Sequence, residues 1–141
     1  MTGTLTFTMI KPDAVAGGHS GAILKQIEDA GFEIVALKMT RLSMAQASEF
    51  YGIHTGKPFF NMLVDFMSSD KIIAAVLKKN NAIADFRTLI GNTNPEKADA
   101  GTIRKQFAKS MENNAIHGSD SDENALIEAG FFFSNFERFT K

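Results

Sequence analysis

The most chemically suggestive stretch of the chain runs from Asn114 to Asp120, where His117 stands among an amide, a hydroxyl and a carboxylate. The unperturbed pKa of an imidazole lies near neutrality, so this histidine is a candidate base, metal ligand or nucleophile. A base or a metal ligand usually has further histidines, cysteines or paired acids nearby. The polar residues that precede it suit phosphate instead: Arg87, Thr93, Thr102 and Arg104.

A histidine nucleophile needs a partner that fixes its ring and offsets the positive charge that develops during attack. Glu128 follows His117 by 11 positions, and a strand followed by a helix that folds back would bring the two together. Taken alone, a single histidine after two apolar residues is more often structural. The hypothesis of a nucleophile therefore depends on the wider pattern.

Composition limits the classes of protein to which the chain can belong. Its 141 residues are enough for one domain with a hydrophobic core, which we expect to span residues 1–141. A net charge of −1 provides no bulk attraction to nucleic acid or to an anionic membrane surface. Because the chain has no cysteine, disulfides and thiolate zinc sites are excluded, and a cytoplasmic location is favoured.

No targeting or membrane segment is evident in the sequence. The first ten residues lack the basic start and the long apolar block of a secretory signal. The longest apolar runs, such as residues 72–77, are far too short to cross a bilayer. We therefore expect no association with a membrane.

Alternating strands and helices are predicted to position the polar residues. Strands are expected at residues 4–10, ending before Pro12 and presenting Lys11, and at residues 32–39, 72–77 and 115–117. Helices are expected before Gly31, between Ser43 and Gly52, after Pro58, between Ala82 and Gly91, and between Ser121 and Gly130. This order favours an α+β fold with a ferredoxin-like antiparallel sheet.

The segment from Gly91 to Asn113 shows no sustained periodicity. A structureless stretch of that length inside a compact domain is usually functional, and this one holds most of the polar candidates. We therefore expect a long functional loop here.

Six blocks of the sequence carry a resemblance to a known family. They are Ile10-Lys11-Pro12-Asp13-Ala14-Val15, Phe50-Tyr51 to His54, Lys57-Pro58-Phe59-Phe60, Asn92-Thr93-Asn94-Pro95, Gly101-Thr102-Ile103-Arg104 and Asn114 to Ser121. Their order and spacing resemble those of nucleoside diphosphate kinases from about Leu5 to Phe133. The resemblance implies a βαββαβ ferredoxin-like core and transfer of the γ-phosphoryl group from a nucleoside triphosphate, typically ATP, to a nucleoside diphosphate.

The resemblance also implies a role for individual residues. In a ping-pong mechanism, His117 becomes phosphorylated on a ring nitrogen, Glu128 contacts the imidazole and Ser119 lies beside it. The residues assigned to the phosphates are Arg87, Arg104, Thr93 and Tyr51, with His54 at the same end. Lys11 and Asn114 are assigned to the ribose, and Lys11 also to phosphate. Phe59 and Met111 are assigned to the two faces of the base.

The implied cofactor is Mg²⁺, held by the nucleotide phosphates with no direct protein ligand. Such an ion needs little protein ligation, and Asp120 is the candidate for a contact through water. The resemblance further implies a homo-oligomer, a hexamer or a tetramer. Ala100 departs from the family pattern because it replaces a frequent proline, which should loosen the backbone before Gly101.

Other interpretations remain open at this point. Arg87 suits a solvated helix surface, Thr93 a turn and Phe59 a hydrophobic core. A ferredoxin-like sheet also occurs in RNA-binding modules, but this chain lacks their basic face and aromatic motif. A protein with the same pocket that binds nucleotides or signals through phosphohistidine, with little or no turnover, is the second functional hypothesis.

Overall fold

The computed structural model describes residues 3–140, which form a four-stranded antiparallel sheet with helices on both faces. The strands are β1 (Leu5–Ile10), β2 (Glu33–Thr40), β3 (Ile72–Lys78) and β4 (Ile116–Gly118), in the order β2-β3-β1-β4. This α+β architecture confirms the predicted fold class. The expected single domain over residues 1–141 includes Met1, Thr2 and Lys141, which lie outside the described residues, and it stays a prediction.

Seven α-helices occur within residues 3–140. They are α1 (Pro12–Ala16), α2 (Ser20–Asp29), α3 (Met44–Phe50), α4 (Phe60–Met67), α5 (Ala82–Ile90), α6 (Ile103–Phe107) and α7 (Asp122–Phe132). Two short 3₁₀ turns follow α3 and α7, at Gly52–His54 and Asn135–Glu137. None of these helices has the length and apolar character needed to cross a membrane.

Both faces of the sheet are buried, which explains the continuous apolar run of β3. Alternate side chains of a strand point to opposite faces. Ile72, Ala74 and Val76 pack in one hydrophobic cluster with α4 and α7, whereas Ile73 and Leu77 pack in a second cluster with α2 and α5. The sheet is therefore the middle layer of three.

The short strand β4 sets the direction of His117. It pairs antiparallel with β1, so that Ile116 lies opposite Ile10 and His117 lies opposite Met9. Ile116 is buried in the second cluster and Met9 in the first. The His117 side chain is consequently on the face that α3, α4 and α7 cover.

Two predicted features of the chain were wrong. The segment from Gly91 to Asn113 is not structureless, because it contains α6, whose N-cap Thr102 accepts a hydrogen bond from the Lys105 amide. A helix of five residues is too short to produce a visible period.

Gly130 does not end α7, since the helix continues to Phe132. Phe132 and the following Phe133 are buried in the core.

Helix α1 was not predicted at all. Pro12 was interpreted only as the end of β1, but it occupies the first position of α1, where its fixed φ and missing N–H are favourable. The tight junction between β1 and α1 places Lys11 and Asp13 next to Ala115, the residue that precedes β4.

Replacement of Gly91 by alanine should destabilise the fold. Gly91 ends α5 with a φ of +88°, and an added Cβ would lie 2.6 Å from Thr102 Oγ1. We expect the free energy of unfolding to fall by about 2 kcal/mol or more, measured by urea denaturation at fixed protein concentration. The control is Gly21→Ala in α2, where a Cβ meets nothing within 4 Å, and which should stabilise by about 0.5 kcal/mol. Equal effects of the two substitutions would contradict this account.

Candidate active site

A cavity of about 750 Å³ lies on the α3–α4 side of the sheet, beside β4 and α7. Most of the residues proposed from the sequence line it: Lys11, Tyr51, His54, Phe59, Arg87, Thr93, Met111, Asn114, His117, Asp120 and Glu128. Arg104 lines an adjoining pocket of about 190 Å³ together with Arg87 and Thr93. Ser119 is fully buried behind His117. The structure thus brings residues from segments far apart in the chain to one place.

His117 and Glu128 meet as the spacing predicted. His117 Nε2 lies 3.0 Å from Glu128 Oε1, and the Ser119 hydroxyl donates to the same carboxylate oxygen at 2.6 Å. The Phe7 amide donates to the Ser119 hydroxyl at 3.2 Å, which ties the carboxylate to β1. The carboxylate of Glu128 in α7 is therefore held by His117 of β4 and by Ser119, which is in turn bonded to β1.

This contact determines which ring nitrogen of His117 can react. A carboxylate is only an acceptor, so Nε2 carries the proton and donates a hydrogen bond to Glu128. In the neutral ring the lone pair is then on Nδ1. The rings of Phe7 and Phe50 each lie 6.0 Å from the imidazole and confine it. The arrangement suits a nucleophile at Nδ1 whose developing positive charge is balanced at Nε2.

Three cationic side chains, Lys11, Arg87 and Arg104, line one end of the site although the chain has a net charge of −1. Burial and the nearby Arg104 lower the pKa of Lys11 to about 8, against an opposing effect of Asp13. Burial and the charge of Arg87 lower the pKa of Arg104 to about 10. Both shifts come first from burial and second from a neighbouring positive charge, which Asp13 offsets only in part at Lys11.

Arg104 is fixed by backbone carbonyls, which leaves its charge uncompensated. Its two terminal nitrogens donate to Gly91 O at 3.0 Å and to Ile116 O at 2.8 Å. Its Nε is buried and has no hydrogen-bond partner among the described residues. The guanidinium is therefore rigid, and it lines the smaller pocket with a positive charge that suits phosphate.

Two further polar groups of the site are buried without a partner in the described part of the chain: the Tyr51 hydroxyl and Asn114 Oδ1. Burial and the charge of Glu128 raise the pKa of Tyr51, so the phenol keeps its proton. The Asn114 amide nitrogen donates to Met111 O at 3.0 Å. Unsatisfied buried groups beside a cavity are suited to bind the polar groups of a ligand.

The opposite end of the cavity is apolar and open. Phe59 and Met111 are about half exposed, and the His54 ring lies 5.2 Å from the Phe59 ring. His54 therefore lies beside the aromatic end of the cavity, and its expected place with the phosphate residues stays a prediction. Sequence reasoning missed Met62 and Phe66, which also line this end. Helical spacing from Phe59 would have found them, since residues i+3 and i+7 share its face.

The residues at the cavity fit a cation that a ligand brings with it. Among residues 3–140 no group of three or more His, Cys, Asp or Glu side chains could hold a metal ion. Asp120 is exposed at the cavity and accepts a hydrogen bond from Asn124 Nδ2 at 2.6 Å. A single carboxylate suits a contact through water.

The loop that carries Thr93 is restrained despite Ala100. Gly101 O accepts hydrogen bonds from Gln26 Nε2 and Gln106 Nε2, each at 2.8 Å. The two glutamines are themselves joined at 2.9 Å. This amide network connects the loop to α2 and α6 next to the position where the proline is absent.

The fold and the cavity together define a phosphotransferase that acts on nucleotides. Residues 4–138 match the family model for nucleoside diphosphate kinase. The chain belongs to the nucleoside diphosphate kinase family, and the resemblance found in the sequence is confirmed.

Relatives agree over nearly the whole chain. A nucleoside diphosphate kinase of Flavobacterium psychrophilum is 57% identical over 134 residues, covering 95% of this chain and 96% of its own. One from Chlorobium limicola is 54% identical, with 92% of each chain covered.

Solved structures agree as well. A crystal structure of the Aquifex aeolicus enzyme has a TM-score of 0.93 and 44% identity over 96% of this chain and 98% of that one. A halophilic nucleoside diphosphate kinase from Halobacterium salinarum in complex with CDP has a TM-score of 0.91 and 36% identity, with 95% and 90% covered.

Nucleotide binding should take up a proton at alkaline pH because of Lys11. Its pKa of about 8 leaves it largely neutral at pH 9, and a bound phosphate would favour the charged form. Affinity for ADP should therefore fall as pH rises above 8, by up to about tenfold per pH unit. Calorimetry at pH 9 in buffers of different ionisation enthalpy should show uptake of up to about one proton per site.

The matched variant is Lys11→Arg, which keeps the charge but does not titrate in this range. Its affinity should show no break near pH 8 and its binding should take up no proton at pH 9. The same proton uptake in both proteins would show that a different group is responsible.

Proposed function

We propose that phosphoryl transfer proceeds through a phosphohistidine at Nδ1 of His117, in two half-reactions that use one site. The observation that carries this proposal is the 3.0 Å contact between Nε2 and Glu128, which leaves the lone pair on Nδ1. The substrates are a nucleoside triphosphate, typically ATP, and a nucleoside diphosphate.

Each half-reaction balances within this site. The Nδ1 lone pair attacks the γ-phosphorus, an N–P bond forms, and the bond to the β,γ-bridging oxygen breaks, so the nucleoside diphosphate leaves with that electron pair. A terminal phosphate oxygen of the second diphosphate then attacks the same phosphorus. The N–P bond breaks and its electron pair returns to Nδ1, while the proton stays on Nε2 throughout.

The cationic groups supply what phosphoryl transfer mainly needs, which is positioning and charge neutralisation. Arg87, Arg104 and Lys11 neutralise the phosphate oxygens, and the Tyr51 hydroxyl and Thr93 donate to them. These roles are supported by the cationic side chains that line the pockets and by Nε of Arg104, which has no hydrogen-bond partner among the described residues. Glu128 balances the charge that develops on the imidazole.

The remaining part of the nucleotide fits the rest of the cavity. Asn114 and Lys11 reach the ribose, and the base stacks between Phe59 and Met111. Stacking accepts every base, because each base has a π-face. The Halobacterium salinarum relative was solved in complex with CDP, which supports a nucleoside diphosphate as ligand of this cavity.

We propose Mg²⁺ as the cofactor, bridged to the protein by the nucleotide phosphates. When bound, it neutralises phosphate charge and orients the oxygens. Asp120 would hold it through water.

A homo-oligomer, either a hexamer or a tetramer, and a cytoplasmic location are further proposals that follow from the resemblance. The exposed edge strand β2, with Leu37 and Met39 about half exposed, supports self-association.

Loss of His117 should abolish covalent labelling. With γ-phosphate-labelled ATP and Mg²⁺ but no acceptor, we expect acid-labile, alkali-stable label on the wild type and none on His117→Ala. The label should leave the protein when a nucleoside diphosphate is added. Equal label on the variant would remove His117 as nucleophile, and label that never transfers would favour the alternative function, a phosphohistidine signalling protein.

Neutralising Glu128 should slow phosphorylation without removing the site. Glu128→Gln loses the charge that balances the imidazole, so the single-turnover rate should fall on the order of a hundredfold by rapid quench. The matched control is Glu123→Gln, an exposed acid in the first turn of the same helix, which should keep the wild-type rate. A Glu128→Gln rate within threefold of the wild type would remove Glu128 from the mechanism.

A further inference from the structure

The backbone just before His117 adopts a strained turn. Ala115 has a φ of +72°, which residues other than glycine, asparagine and aspartate rarely adopt. The Ile116 amide donates to Asn114 O at 2.8 Å, so residues 114–116 form a γ-turn of the rare type with positive φ at its centre. Such strain persists only where surrounding contacts hold it.

Both backbone polar groups of Ala115 are held by the junction between β1 and α1. Its amide donates to Asp13 Oδ2 at 3.1 Å, and its carbonyl accepts from the Lys11 amide at 2.8 Å. Ala115 is fully buried, so water cannot replace these bonds. We call these two hydrogen bonds the clamp, and the Asp13 carboxylate accepts one of them.

The turn lies between two groups of the proposed mechanism. Asn114 precedes Ala115 directly, and His117 follows after one residue, in a strand of only three residues. This strand pairs with β1 over only three residues. The clamp therefore adds to that pairing in fixing the position at which β4 begins, and hence the direction of the imidazole.

We propose that Asp13 is a positioning residue that acts through the strained Ala115 backbone to place His117 for attack. The proposal rests on the function of His117 stated above. Asp13 is not in contact with the imidazole, and its carboxylate has no assigned part in binding nucleotide.

Two observations support a role beyond the stability of α1. Asp13 Oδ1 is buried and has no partner in the described part of the chain, so the carboxylate is committed to Ala115 rather than to a network of its own. Its negative charge also opposes the lowering of the Lys11 pKa by Arg104. Removal of that charge would lower the pKa of Lys11 further, so the test is made at about pH 6.5, where Lys11 stays charged and the loss of a nearby negative charge does not weaken the attraction for phosphate.

The test compares Asp13→Ala, Asp13→Asn, Ala115→Gly and the double variant Asp13→Ala/Ala115→Gly. The readouts are the single-turnover rate of His117 labelling by Mg²⁺ and ATP, and the dissociation constant for ADP. At about pH 6.5, Asp13→Ala should lower the rate on the order of ten- to a hundredfold, as expected for a displaced reacting group, while the ADP affinity is unchanged or higher. Asp13→Asn keeps an oxygen acceptor and should retain a rate within about threefold of the wild type.

The double variant isolates the route of the effect. Glycine adopts positive φ without strain, so the turn should need the clamp less. The rate lost on removing Asp13 should be at least about threefold smaller in the Ala115→Gly background. If Asp13→Ala does not fold, Asp13→Ser replaces it, since serine keeps a polar side chain in the first turn of α1 but ends short of Oδ2.

Equal rate losses in the two backgrounds, or a loss confined to ADP affinity, would overturn the proposal. A wild-type protein that takes no label would contradict the phosphohistidine function itself. Label on the wild type without coupling between residues 13 and 115 would contradict only the role of Asp13.

Discussion

The pairing of β4 with β1 is the constraint on which the site depends. All three residues of β4 pair with β1. In addition, Thr8 Oγ1 donates to His117 O at 2.7 Å, and the amide of Ser119, the residue after β4, donates to Phe7 O at 3.2 Å. Arg104 adds a buried bond to Ile116 O. The same short strand thus orients the histidine, leads directly into the serine whose hydroxyl holds Glu128, and anchors one of the arginines of the cationic end.

The electrostatics of the cavity follow from this arrangement. A guanidinium and an ammonium that are withdrawn from water lose solvation, and the mutual repulsion of Lys11, Arg87 and Arg104 adds to that cost. Carbonyl oxygens compensate only in part, because they carry no full charge. The folded protein therefore holds a site whose stability improves when an anion binds. Local charge of this kind explains how a chain with a net charge of −1 can bind phosphate.

The sequence predicted the elements with strong local signals and missed those with weak ones. The apolar run of β3 and the capping box of Ser43 and Gln46 both appear where expected. Helices α1 and α6 were missed because five residues show no period, and α7 passes Gly130 because Phe132 and Phe133 are buried beyond it. Tertiary packing there outweighs the preference of glycine for a helix end.

The same distinction holds for the site. Motifs and their spacing predicted most of the polar residues that line the cavity, because phosphate chemistry demands particular side chains at particular positions along the chain. Backbone geometry could not be predicted from the sequence. Nothing in the residues Asn114-Ala115-Ile116 indicates a positive φ at the alanine, and Asp13 resembles an ordinary acid in the first turn of a helix. Strain is a property of the folded backbone that contacts distant in sequence impose, here across about a hundred residues. A residue that acts through such strain is invisible to motif reasoning and becomes apparent only when the partners of each buried amide are traced.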